Sequence, residues 1–150
     1  MKKVTVFMPS IEGGGVEKNL FIVTNYLSKK IQDLSLITIS KNYKNKFNKS
    51  VNFITYKSAI WDKFPRKFKY FLSLILLLKE ILKNKRIIVF AFQANIYCIM
   101  LCKIFGVKVI VRSNSAPAGW SKNFLKRIIF RFFLNKADKI MANSFEFVYY

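Results

Sequence analysis

Three consecutive glycines, Gly13-Gly14-Gly15, separate a short apolar run from a helical pattern, and this change of period constrains the fold more than any other feature. Val4, Val6 and Met8 alternate with Thr5 and Phe7, a composition that suits a strand buried on both faces. Val16, Leu20, Val23 and Leu27 then recur at helical spacing, so the period passes from two to about 3.6 across the glycines. A side-chain-free turn leading into a helix offers backbone N–H groups beside the positive end of the helix dipole, which is how proteins hold phosphates. Three glycines are also simply a tight turn, and the G-x-G-x-x-G spacing is absent because Val16, Glu17 and Lys18 follow Gly15. Both readings stand at this point.

The rest of the chain repeats the alternation. Leu34–Ile39 and Val51–Tyr56 read as strands, with the polar segment 41–50 between them as a solvated loop. Residues 66–83 form a helix with an apolar stripe of Phe68, Phe71, Leu72, Ile75, Leu78 and Leu82 and cations crowded at its ends. Ile87–Phe92 is a near-continuous apolar run, hence a central parallel strand, and Ile96–Phe105 is a buried helix closed by Gly106. Val107–Arg112, helix Phe124–Asn135 and strand Lys139–Ala142 complete the series. Alternating strands and helices, with every strand apolar enough to be buried on both faces, predict an α/β fold with a mostly parallel sheet and helices on both faces. In such sheets ligands bind outside the carboxyl ends of the strands, so the loops that matter are 9–15, 93–95 and 112–119. Gln93, Asn95, Arg112 and Ser113 in these loops are the substrate-binding candidates.

The 150 residues fit a single domain, and their apolar content excludes disorder. Twenty-seven Lys and Arg against seven Asp and Glu give a net charge of +20, a surface that attracts nucleic acid, anionic lipid or phosphorylated substrates. Sixteen Phe, seven Tyr and two Trp are interleaved with these cations, and no zinc-finger, RNP-like or basic-heptad signature is present, so the membrane surface is favoured and nucleic acid is not expected. On helix 124–135 Leu125, Ile128, Ile129 and Phe132 share a face. Lys126, Arg127 and Arg131 lie opposite with Phe130, and Lys122 just precedes them. Such a helix either lies at a headgroup interface through Lys122, Lys126, Arg127, Phe130 and Arg131, or packs its apolar side on the sheet. Cys98 and Cys102, four apart, read as small core residues in a reducing cytoplasm. The absence of histidine removes His-based triads, and no metal site is expected.

No secretory signal is visible, and the longest uncharged apolar stretch, 87–102, falls short of the usual ~20-residue span. Asn143 followed by Glu146 resembles the start of another helix, so the chain reads as a piece of a longer protein or a truncated reading frame.

Three segments, VTVFMPSIEGGGVEKNLFIVTNYLSKK, VKVIVRSNSAP and RFFLNKADKIMANSFE, resemble the N-terminal half of family 4 glycosyltransferases, retaining nucleotide-sugar enzymes of GT-B architecture. The resemblance implies a Rossmann-like acceptor-side domain, which mainly holds a sugar or lipid-linked acceptor, with a nucleotide sugar (UDP- or GDP-linked) as donor. The donor would be held mainly by a C-terminal domain that lies outside these residues, so this stretch alone would be inactive. It implies further that Gly13 binds substrate and that Gly14 and Gly15 stabilise charge on the leaving phosphate through their amides. Asn114, the remaining catalytic candidate, lies in the loop where many members carry a histidine; it can donate a hydrogen bond there but cannot shuttle protons. Glu17 either points toward sugar or acceptor hydroxyls or is a dipole-complementing surface residue. Arg112 either meets an acceptor phosphate or is a strand-end surface charge. Members of the family act in bacterial cell-surface polysaccharide, lipopolysaccharide or lipid-linked oligosaccharide synthesis, which implies a cytoplasmic protein peripheral to the inner face of the cytoplasmic membrane. The competing reading is a non-catalytic remnant or a basic membrane-surface module.

Overall fold

The structure, a computed structural model, describes residues 3–93, 95–113 and 124–142. Six parallel strands form one sheet: β1 (Val4–Phe7), β2 (Leu34–Ile37), β3 (Asn52–Ile54), β4 (Ile88–Ala91), β5 (Lys108–Ser113) and β6 (Lys139–Ala142). Their order in space is β3-β2-β1-β4-β5-β6. β1 lies at the centre, its Val4–Phe7 in register with Leu34–Ile37 on one side and Ile88–Ala91 on the other. The crossovers carry α1 (Gly15–Ser28), α2 (Arg66–Lys83), α3 (Asn95–Ile104) and α4 (Phe124–Leu134). This is the α/β, Rossmann-like arrangement that the alternation predicts.

The pleat sorts the strands' side chains into two cores. Phe7, Ile37, Val89, Ala91, Val109 and Val111 pack with residues of α2, α3 and α4 such as Leu77, Ile81, Cys98, Ile99 and Leu134. Val6, Met8, Leu36, Phe90 and Phe92 face the other way, onto Leu20 of α1. Chain direction explains the split: α1 carries the chain from β1 to β2, whereas α2, α3 and α4 carry it the opposite way across the sheet, from β3 to β4, then to β5 and β6, and right-handed crossovers running in opposite directions fall on opposite faces. Cys98 and Cys102 are fully buried free thiols, as small core residues should be. Gly106, in the left-handed region at φ +68°, ends α3. Beyond it Val107 N–H donates to Cys102 O at 2.8 Å.

Four details depart from the sequence-based expectation. Segment 41–50 is not merely solvated: it contains a short 3-10 turn, Lys44–Lys46, and buries Phe47 edge-on to Phe21 and Phe53 at 5.1 and 5.2 Å. Asn48 N–H donates to Asn25 Oδ1 at 2.8 Å, which ties the loop to α1. On α2 the buried side is Lys69, Leu72, Ser73, Leu76, Leu77, Glu80 and Ile81, about one position round from the expected stripe, and Phe68, Phe71 and Leu82 are exposed. The run LSLILLL is apolar on every side, so periodicity does not single out a face there. On α4 the covered residues are Phe130, Phe133 and Leu134, while Leu125, Ile128, Ile129 and Phe132 are exposed. Finally, β6 is not buried on both faces: as an edge strand it exposes all four of its residues.

Candidate functional site

Strand order reverses between β1 and β4, and the loops after these two strands meet there. Ser10 follows β1 and Gln93 follows β4. Oriented by its hydrogen-bond partners, the Gln93 amide donates to Ser10 O at 3.2 Å and accepts from an Arg66 guanidinium nitrogen at 2.7 Å. Arg66 opens α2, and its Nε donates to Tyr70 Oη at 2.7 Å. Three segments far apart in sequence thus converge on one amide.

The glycine loop forms one side of this point. Gly13 has φ +88°, a conformation that favours glycine, and a Cβ there would meet Tyr43 Oη at 3.1 Å. Gly14 is the extended N-cap of α1 and caps nothing by side chain, having none. Gly15 is the first helical residue, and a Cβ on it would meet open space. Only the first glycine is therefore required by backbone conformation, and the second is hemmed by Glu17, whose Oε2 would lie 3.0 Å from a Cβ at Gly14. Glu17 is buried rather than a surface charge: its Oε1 accepts from Glu12 N–H at 3.3 Å, so the carboxylate folds back onto the loop at the helix's positive end. Ser10 Oγ donates to Glu12 Oε1 at 2.9 Å, and Ile11 N–H donates to Ser40 Oγ at 3.0 Å, which together brace the loop.

The other side is a cleft of about 780 Å³. Its polar lining includes Arg66, Tyr70, Gln93, Asn95, Ser113 and Lys126, and its apolar lining includes Phe92, Met100, Ile129, Phe130 and Phe133. Asn95 is held by donating from Nδ2 to Arg112 O at 2.8 Å. Burial pushes the Tyr70 phenol above its ordinary value; the Arg66 guanidinium opposes this and the Glu12 carboxylate adds to it.

The sequence-based candidates therefore separate. Gln93, Asn95 and Ser113 come together in the cleft, whereas Gly13, Gly14, Gly15 and Glu17 lie outside its lining on the adjoining loop. Arg112 is not a strand-end surface charge. Its neighbour Val111 faces α2–α4, and Arg112 turns to the opposite core, 6% exposed, with its guanidinium 5.4 Å from the Phe92 ring centroid. Burial there lowers its affinity for the proton. Of the five residues expected at a membrane surface, Lys126 and Phe130 line the cleft, and Arg127 and Arg131 are exposed. Asn114 and Lys122 lie outside the described residues.

Arg66 and Tyr70 are the residues that sequence reading passed over. The available signal was electrostatic: α2 begins with Arg66, Lys67 and Lys69 and has no acid in its first turn, the reverse of what the helix dipole favours. Among the described residues no helix is long and apolar enough to cross a membrane. Among them also, no cluster of three or more potential metal ligands occurs. No family model matches this chain, and no curated protein matches it in sequence.

Proposed function

We propose that the chain is the acceptor-side half of a retaining, nucleotide-sugar-dependent glycosyltransferase. The carrying observation is the meeting of the glycine loop and Gln93 at the strand-order reversal, beside a cleft large enough for a small-molecule ligand. The family resemblance of the three quoted segments supports the same reading. In it, the Gly14 and Gly15 amides face a donor diphosphate, UDP- or GDP-linked, and stabilise charge as the leaving group departs. Gln93, Asn95 and Ser113 orient the acceptor, a sugar or a lipid-linked saccharide of a bacterial cell-surface polysaccharide pathway. Glu17 braces the loop from beneath instead of touching substrate. The test is sugar transfer from UDP- and GDP-sugars to lipid-linked acceptors by the natural polypeptide that carries these residues. Transfer is expected, with turnover in Gly14→Val lowered by about 10²-fold, the scale of losing an oxyanion-type donor. Absence of transfer with every donor overturns the reading, and unchanged turnover in Gly14→Val reduces the loop to a turn.

A second reading, a peripheral membrane module at the inner face of the cytoplasmic membrane, is favoured by α4. That helix exposes Phe124, Leu125, Ile128 and Phe132 alongside Arg127 and Arg131. It requires salt-sensitive binding to anionic vesicles; equal binding to neutral vesicles, or none to either, removes it.

A further inference from the structure

The two edge strands of the sheet are finished differently. At one edge β3 is covered on both faces: Phe53 lies edge-on to Phe47 at 5.2 Å, and Ile54 packs against the core on the opposite side. At the other edge β6 exposes all four of its residues, with Ile140 at 38% and Met141 at 47%. Parallel register sets Ile140 beside Val111, and so on the α4 side of the sheet, with Lys139 and Met141 on the other side. α4, the crossover between β5 and β6, packs chiefly on α3 instead of over β6. It keeps an apolar stripe at i, i+4 and i+8 exposed outside the cleft lining: Phe124, Ile128 and Phe132. Natural sheets blunt such an edge with charge, proline or a bulge, and in β6 only Lys139 does so.

A parallel strand with both faces open and an outer row of backbone N–H and C=O groups is a template for a further strand. We infer that β6 and the outer stripe of α4 form a docking site for an extended segment of another protein, one that alternates apolar and acidic residues. The segment pairs along the open edge of β6, sets its apolar side chains on the side of Ile140 and α4, and turns its acidic ones toward Lys139. Charge complementarity selects the acid. α4 carries Arg127 and Arg131, Lys136 stands 5.3 Å from the Phe132 ring centroid, and Lys139 opens β6. None of these four cations forms an ion pair among the described residues, and the nearby Asp138 is already held by Lys103 and Val109 N–H. A second copy brings the same cations and the same net charge of +20, so it meets repulsion. A bilayer accommodates the stripe but leaves the edge groups of β6 without hydrogen-bond partners. The inference is independent of sugar transfer, since Phe124, Ile128, Phe132 and Ile140 are not among the cleft-lining residues.

Fluorescence anisotropy with a labelled peptide of about ten residues, alternating valine and glutamate, tests the assignment on the natural polypeptide that carries these residues. The control is the same peptide with lysine in place of glutamate. Saturable binding of the glutamate peptide is expected, with the lysine peptide weaker by about tenfold or more. Amide hydrogen exchange at residues 139–142 should slow when the glutamate peptide is bound, which a contact through side chains alone does not require. Ile128 and Lys139 are exposed, so Ile128→Asp and Lys139→Glu should retain the wild-type circular dichroism and melting temperature while each loses about tenfold in affinity. Absence of peptide binding overturns the proposal, as does equal affinity for the lysine peptide, unchanged exchange at residues 139–142, or unchanged affinity in both variants. Binding confined to phosphatidylglycerol vesicles also overturns it and assigns the surface to a bilayer. Self-association in sedimentation that both substitutions abolish, with no peptide bound, overturns it in favour of a second copy.

Discussion

At the amino edge of the sheet, the buried Glu80 accepts from Lys3 at 2.9 Å and Lys83 at 3.0 Å, and Asp138 accepts from Lys103 at 2.6 Å and from Val109 N–H at 2.8 Å. These are the three ion pairs among the described residues, and all of them lie at that edge. At the carboxyl edge, Arg66, Lys67 and Lys69 sit in the first turn of α2, where the helix dipole disfavours them. One edge uses its charges to close the fold. The other holds cations at a cost to its own helix, and a cost of that kind makes sense where an anion is to be met. Mutations at the two edges should accordingly differ in sign as well as in size.

The largest effect belongs to the amino edge. Glu80→Ala leaves the Lys3 ammonium, 19% exposed, without its carboxylate and should lower stability by about 2 kcal/mol in urea denaturation. A loss below about 0.5 kcal/mol, the scale of an ordinary surface change, would break the contrast. The same carboxylate sets a pH response. Burial pushes the Glu80 carboxyl up, but the hydrogen bonds and charges of Lys3 and Lys83 outweigh it and hold it below its ordinary value. A depressed carboxylate contributes stability above the unfolded-chain value of about 4.3 and loses it as pH falls through the lower folded value. Asp138, lowered by Lys103 and Val109 N–H against its own desolvation, acts in the same direction. The urea midpoint should therefore drop on acidification below about pH 4.3, less steeply in Glu80→Gln.

Next in size is the glycine loop. Gly13→Ala forces a side chain into the left-handed region and should cost about 1–2 kcal/mol. Gly15→Ala should instead gain about 0.5 kcal/mol, because the site is helical and open. Equal costs at both positions would mean that the loop is held by something other than the Gly13 backbone. The smallest change sharpens the carboxyl edge. Lys67→Glu removes a first-turn cation outside the cleft lining and should raise stability by about 0.5 kcal/mol in urea denaturation.

Much of the fold was legible because local pattern and tertiary demand agree. The change of period at Gly13–Gly15 marks a strand, a turn and a helix, and α2 spans 66–83 as its composition indicates. Where a segment is apolar all round, as in LSLILLL, or polar throughout, as in 41–50, pattern stops discriminating, and packing chose the buried face of α2 and drew Phe47 inward. Of the cleft, Gln93, Asn95 and Ser113 were legible from their loops. Arg66 was not, since it lies 27 positions before Gln93 in the chain, and the burial of Arg112 was not, because which side of a strand end is covered depends on its neighbours.

Hydrophobic periodicity and glycine placement by themselves determined an alternating α/β chain with a conformationally special turn after its first strand, because these follow from local geometry. Only the tertiary structure decided that β1 lies between β2 and β4, which helices share a face, and that the start of α2 reaches the loops after β1 and β4. Those outcomes depend on crossover direction and long-range packing, to which no short stretch of sequence contributes alone.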